Sequence, residues 1–287
     1  MFSTNTRQPQ ICSLALMTLG LLCISSSDLR ADIVVLGDAE VEFFNDGTIN
    51  FFEVNGQDGP LSFLDHFVTI DGSAPMSFFA LESSGADVNG NRGSVDLVYN
   101  DDVSDIFGIR VEIELTNPQD GDLFAGVDYS IEFMNLSDNA LDLRYYSYQD
   151  YDLDFSNPSG DTASFDGTTM SQQHRFGTTG RDIEVTSTTD VDHWELNEAA
   201  NIYDQLSGAE SPIDLADGTN GLETDIEFAM QYNLNLGAGS SSTIEYSLDF
   251  TPPSAVPEIG TSPFISCVGL IVAAAFWIRR RRLVRQQ

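Results

Sequence analysis

The sequence contains no lysine, and its 12 basic residues, all arginine, face 45 acidic ones for a net charge of −33. A surface of that sign repels nucleic acid, anionic lipid and acidic polysaccharide unless divalent cations intervene. Nucleic-acid binding is therefore excluded as a function class. Cysteine is scarce too: Cys12, Cys23 and Cys267 all lie near the two ends. The long stretch between them has no disulfide or thiol chemistry to draw on, so packing must hold it together. His66, His174 and His193 are far apart in sequence and show no zinc-ligand spacing. Without lysine there is no Gly-Lys-Ser/Thr phosphate loop.

Two of the acidic residues, Asp28 and Glu258, and seven of the arginines sit at the ends, so the central stretch is more acidic than the whole. Such a charge suits salty or calcium-rich surroundings, where screening acts over about 8 Å or less. A compositional bias of the source produces the same balance.

What fills the centre is a pattern of period two. Val111-Glu112-Ile113-Glu114-Leu115, Tyr129-Ser130-Ile131-Glu132-Phe133 and Ile244-Glu245-Tyr246-Ser247-Leu248-Asp249-Phe250 alternate apolar with polar residues. That pattern puts one face of a strand on a core and its acids in water. Asp46-Gly47, Asp58-Gly59, Asp71-Gly72, Asp120-Gly121 and Asp166-Gly167 punctuate the alternation as hairpin turns. One segment departs from it. Asp192 as N-cap with Glu195 three residues on, followed by Leu196, Ala199, Ile202, Tyr203 and Leu206 at helical spacing and Gly208, predicts a helix. The fold class expected is all-β: an antiparallel β-sandwich over 32–250 with one short helical insertion.

Both ends predict processing. Residues 1–31 carry Arg7, an apolar core from Ile11 to Ile24 and Leu29-Arg30-Ala31, the layout of a signal peptide cleaved after Ala31. Residues 251–263 form a Pro-containing spacer, 264–278 an apolar run, and 279–287 an arginine-rich tail that stays cytoplasmic. The run's length of about 22 Å falls short of a hydrocarbon core of about 30 Å. An ordinary single-pass anchor is the alternative reading of the same residues.

Val256, Pro257 and Glu258, the short apolar segment, and Arg279, Arg280, Arg281 and Arg282 together resemble the PEP-CTERM sorting signal, with Ile259 where that motif has its second proline. The resemblance implies a chain handled by signal peptidase and an exosortase-type enzyme. It also implies passage through an inner-membrane intermediate and arrival at the cell surface or outside the cell. Residues 129–137, 143–150 and 228–240 are similar to the exported β-domains that precede such tails. The function expected is a non-enzymatic surface or matrix protein, with exopolysaccharide as a candidate partner. A carbohydrate-binding module or weak glycan-active enzyme is the alternative, and a permanently anchored surface protein a third.

Two constellations carry candidate chemistry. Asp150, Asp152 and Asp154 alternate along one strand face, where calcium would relieve their repulsion, although Phe155 stands where an EF-hand needs glycine. A solvated acidic strand face is the other reading. Tyr145, Tyr148 and Tyr151 lie beside that run and would suit stacking on sugar rings if exposed, or ordinary packing on two sheet faces. No catalytic residue and no cofactor other than calcium is expected.

Overall fold

The structure is a computed structural model. It describes residues 31–251 apart from 38, 55–56, 59–60, 101–104, 117–124, 152, 154–160, 175–181, 199–200 and 219–222. In chain order the strands are β1 (Ala31–Leu36), β2 (Ala39–Phe44), β3 (Ile49–Val54), β4 (Gln57–Asp58), β5 (Leu61–Ile70) and β6 (Met76–Ser77). After a 3-10 turn at Phe78–Ala80 come β7 (Glu82–Ser83), β8 (Asp87–Asn89), β9 (Arg92–Asn100), β10 (Asp105–Thr116), β11 (Ala125–Asn135) and β12 (Leu141–Tyr151). The rest are β13 (Asp161–Phe165), β14 (Thr169–His174), β15 (Asp182–Ser187), β16 (His193–Glu198), helix α1 (Asn201–Gly208), β17 (Glu223–Thr224), β18 (Ile226–Leu236) and β19 (Ser241–Thr251).

The fold is thus antiparallel and mostly β-stranded, with one helical insertion. The strands form three sheets: β1 to β4 in order; a ten-stranded sheet running β17-β13-β14-β15-β19-β11-β10-β9-β7 with β8 also on β9; and a five-stranded sheet β16-β18-β12-β5-β6. The alternation explains why the larger two stack. Val111, Ile113, Val127, Tyr129, Ile131 and Phe133 of the large sheet turn inward, as do Leu143, Tyr145, Phe228 and Tyr232 of the five-stranded one. Phe133 meets Tyr145 at a 5.2 Å centroid distance, and Phe165 meets Phe228 at 5.5 Å. Burying each such side chain contributes about 1.5–3 kcal/mol.

The N-terminal sheet packs on the same inner face. A Cβ on Gly93 of β9 would lie 2.8 Å from a ring carbon of Phe43 in β2. The Asp46-Gly47 turn also behaves as its sequence predicts: Phe44 N–H donates to Thr48 O at 3.0 Å, and Gly47 takes φ +83°. There glycine meets two demands at once, since a Cβ would also touch Val111 at 2.8 Å.

The expected helix is displaced. His193–Glu198 is strand β16, paired with β18 from His193↔Gln231 to Glu198↔Ile226, and the helix starts at Asn201. The local capping signal lost to a non-local ladder that buries Leu196. Ala31 opens β1, while the rest of the expected signal peptide at 1–30 and the expected sorting residues Val256, Pro257, Glu258, 264–278 and Arg279, Arg280, Arg281 and Arg282 lie outside the described residues. Among the described residues no helix is long and apolar enough to cross a membrane.

Candidate functional site

The outer face of the large sheet carries two parallel polar rows, each crossing four strands. Register places Arg92, Glu114, Asp128 and Ser247 side by side, and one step along the strands Ser94, Glu112, Ser130 and Glu245. Neighbours within a row are about 4.8 Å apart and the rows roughly 7 Å apart, from strand geometry. Together they floor a cleft of about 600 Å³, with Asp87 and Asn89 at one end and Thr188 at the other. Thr188 is held there by donating from its backbone N–H to Glu245 O at 3.0 Å.

Arg92 donates to Glu114 at 2.6 Å, and Asn91 Nδ2 donates a hydrogen bond to the same carboxylate at 3.2 Å. Asp128, directly across from Glu114, has its carboxyl pushed above the ordinary range. Partial desolvation on the sheet face is the main cause, although the side chain stays exposed, followed by the charges of Glu114 and Glu245. Two neighbouring carboxyls in unlike surroundings can divide acid and base roles between them. Alternating carboxylates, hydroxyls and a guanidinium at this spacing can also accept from and donate to the hydroxyls of a sugar ring.

The sequence placed its candidate glycan contacts elsewhere, on β12. Tyr145 and Tyr151 point into the core and Tyr148 to the opposite face, and all three are buried. Tyr145 Oη shares a 2.8 Å hydrogen bond with His66 Nδ1, Tyr151 Oη donates to Gln149 Oε1 at 2.6 Å, and Tyr148 Oη donates to Glu227 Oε1 at 2.9 Å. Burial raises all three phenols. They therefore offer no open stacking surface, because the core covers one face of β12 and residues 201–218 cover much of the other.

That covering strap is bound through side chains. Ile202 N–H donates to Glu227 Oε2 at 2.7 Å, Leu215 N–H to Gln231 Oε1 at 3.0 Å, Ala216 N–H to Glu195 Oε2 at 3.1 Å, and Tyr146 Oη to Ile213 O at 2.7 Å. Beneath it Phe67, Tyr146, Tyr148, Ile202, Leu206, Leu215 and Ala229 make a second apolar cluster.

Asp150, next to the last residue of β12, lies opposite Glu227, whereas Asp152 and Asp154 lie outside the described residues. Among the described residues, no three His, Cys, Asp or Glu side chains converge to hold a metal.

All three histidines find partners that sequence distance hid. His174 Nδ1 lies 2.7 Å from Asp161 in a largely buried pair, and His193 Nδ1 lies 2.8 Å from Asp217. His66 is pushed down to about 3 by its burial, which keeps the ring neutral. None of the three lines the cleft.

No protein-family model matches the chain, and comparison with curated proteins finds no match. Solved structures do resemble it. A galactose mutarotase related enzyme from Lactobacillus acidophilus superposes with a TM-score of 0.45 at 10% identity, covering 79% of this chain and 99% of that one. A galactose mutarotase-like protein from Clostridium acetobutylicum gives 0.44 at 7%, covering 78% and 99%. A polysaccharide lyase gives 0.42 at 11%, covering 77% of this chain and 32% of that one. These likenesses replace the resemblance to PEP-CTERM proteins drawn from the tail. With it go the expectation of a non-enzymatic surface or matrix protein and the partners signal peptidase and exosortase. At such identities and scores the likenesses assign no chemistry to individual residues.

Proposed function

We propose that the protein engages carbohydrate in the cleft on the outer face of its large sheet, and that Asp128 supplies a proton to an oxygen of the bound sugar. The single observation that carries this reading is the two-row floor. Hydroxyls of Ser94, Ser130 and Ser247 alternate there with carboxylates of Glu112, Glu114, Asp128 and Glu245. Carboxylates make strong, directional acceptors for sugar hydroxyls, and Arg92 adds a charged donor. The excess of negative charge favours neutral or amine-bearing sugars over uronates.

In this reading Asp128 is the proton donor, because its raised carboxyl holds a proton to higher pH, and Glu114 is the acceptor across the strand pair. Cross-strand neighbours have Cβ atoms about 4.5–5.5 Å apart, near enough for both to reach one sugar ring.

The test is calorimetric titration of neutral and amine-bearing oligosaccharides into the wild type and into Ser130→Trp, which fills the cleft from an outward position. A binding site present in the wild type and lost in Ser130→Trp supports the cleft. Equal binding by both would refute it. Asp128→Asn should then retain binding while losing any turnover of the bound sugar.

A further inference from the structure

The outer face of the five-stranded sheet is covered over only part of its length. Three rows of side chains lie under the strap: Asn197, Glu227 and Asp150; then Glu195, Ala229, Tyr148 and Asp65; then His193, Gln231, Tyr146 and Phe67. The next two rows lie beyond it. Thr69, Arg144 and Asn233 stand side by side across β5, β12 and β18, and one step along Asp142 pairs with Asn235 while Asp71 sits beside Asp142. They floor a groove of about 480 Å³ that Pro212 of the strap walls on one side.

The two rows differ in hydrogen-bonding character, and Thr69 of the first is buried. The first is rich in donors. Arg144 uses Nη1 to bind Ile213 O at 3.1 Å and Asp214 at 2.6 Å, so its fork keeps further donors. The Oδ1 of Asn233 accepts from Gln231 at 3.0 Å, which turns its amide hydrogens to other use. The second row accepts: Asn235 Nδ2 donates to Asp142 Oδ1, leaving the Asn235 carbonyl and the remaining carboxylate oxygens of Asp142 and Asp71. Rows of donors and acceptors about 7 Å apart match the span of a ring with hydroxyls on both edges. Arg144 is balanced by Asp214, and Asp71 and Asp142 lie close by, so a ligand of net negative charge is disfavoured.

We infer that this groove is a second carbohydrate site, taking an uncharged hexose ring with its hydroxyls bridging the Arg144–Asn233 row and the Asp142–Asn235 row. It lies on the face of the stacked sheets opposite the cleft, so one molecule could hold two glycan chains at once. The inference does not depend on the cleft reading.

The experiment is calorimetric titration of a panel of neutral glucose, galactose and mannose oligosaccharides into the full chain, with stoichiometry as the first readout. Two sites per chain are expected, falling to one in Asn235→Trp, which fills the groove from an exposed position. Arg144→Met should weaken the groove site by about tenfold or more. Because Arg144 also steadies the strap, Asn235→Trp is the deciding variant, and an unchanged melting temperature confirms that it folds. A single site abolished by Asn235→Trp and untouched by Ser130→Trp would keep the groove and refute the cleft. A single site untouched by Asn235→Trp would overturn the groove. No binding to any member of the panel would likewise overturn the groove.

Discussion

Replacing Asp65 by asparagine should stabilise the protein at alkaline pH and do nothing at acid pH. Asp65 faces the strap side of β5 at 6% exposure, accepting from His66 N–H at 2.7 Å and from Ser77 Oγ at 2.9 Å. Burial, against those two bonds, raises its carboxyl from 3.8 to about 6. The folded state therefore takes up a proton near pH 6, and the unfolded chain not until near pH 4. Above pH 7 both states are ionised, and the folded state bears the cost of a desolvated charge, ~3 kcal/mol at most. As pH falls through 6 toward 4 that cost disappears. The substituted amide keeps an acceptor for the His66 N–H and carries no charge, so Asp65→Asn should gain ~3 kcal/mol at pH 8, roughly 5–10 °C in melting temperature, and nothing at pH 4. Neither protein's own pH profile would reveal this cleanly, because the neighbouring His66 works in the opposite sense. Its ring is held neutral to about pH 3, so stability is lost as pH drops below 6.5. The difference between the two proteins cancels that contribution. Paired thermal melts at pH 4, 6 and 8 are the assay, and a difference independent of pH would refute the reasoning.

Gly47→Ala should cost about 2–4 kcal/mol, part from the left-handed backbone and part from the collision with Val111. In a Val111→Ala background its cost should fall to about 1 kcal/mol by denaturant titration, and equal costs in both would rule out the contact. Glu227→Ala strips partners from Tyr148 Oη and Ile202 N–H, for about 2–4 kcal/mol, and amide exchange at Ile202 should accelerate with it. Asn135, buried between two turns, donates to Asn139 O at 2.7 Å and to Leu236 O and Gly237 O at 3.0 Å. Its replacement by alanine should likewise cost about 2–4 kcal/mol, seen as a lower urea midpoint at unchanged slope.

Alternation made much of the sheet legible. Val111, Ile113 and Leu115 are buried where period two places them, with Glu112 exposed between. The turn at Asp71-Gly72 has both residues at positive φ, and Ser240 N–H donates to Gly237 O at 3.0 Å to close the last hairpin. The start of the helix was illegible because pairing with β18 outweighed a good local cap. The tyrosines of β12 misled for a related reason: period two assigns them to two faces, and a sequence does not tell that a distant strap covers the second. The cleft was hidden differently. Its carboxylates come one or two from each of β8, β10, β11 and β19, and each looks alone like a solvated strand face. Register alone turns Glu114 and Asp128, fourteen positions apart in sequence, into neighbours. The same holds for His174 with Asp161 across β13 and β14, whereas His193 is brought to Asp217 by the docking of the strap.

The strap also dictates an order of events. Its anchors are side chains of β16, β18 and β12, and its apolar underside rests on Phe67 of β5, well over a hundred residues earlier in the chain. It has nothing to dock on until those strands are already in register, and closing such a long connection is slow. Residues 201–218 thus belong to the last stage of folding and the first stage of opening. Weakening them, as in Leu206→Ala, should speed unfolding and leave the refolding rate almost untouched in stopped-flow measurements, which would make the strap the place where the lifetime of the native state is set.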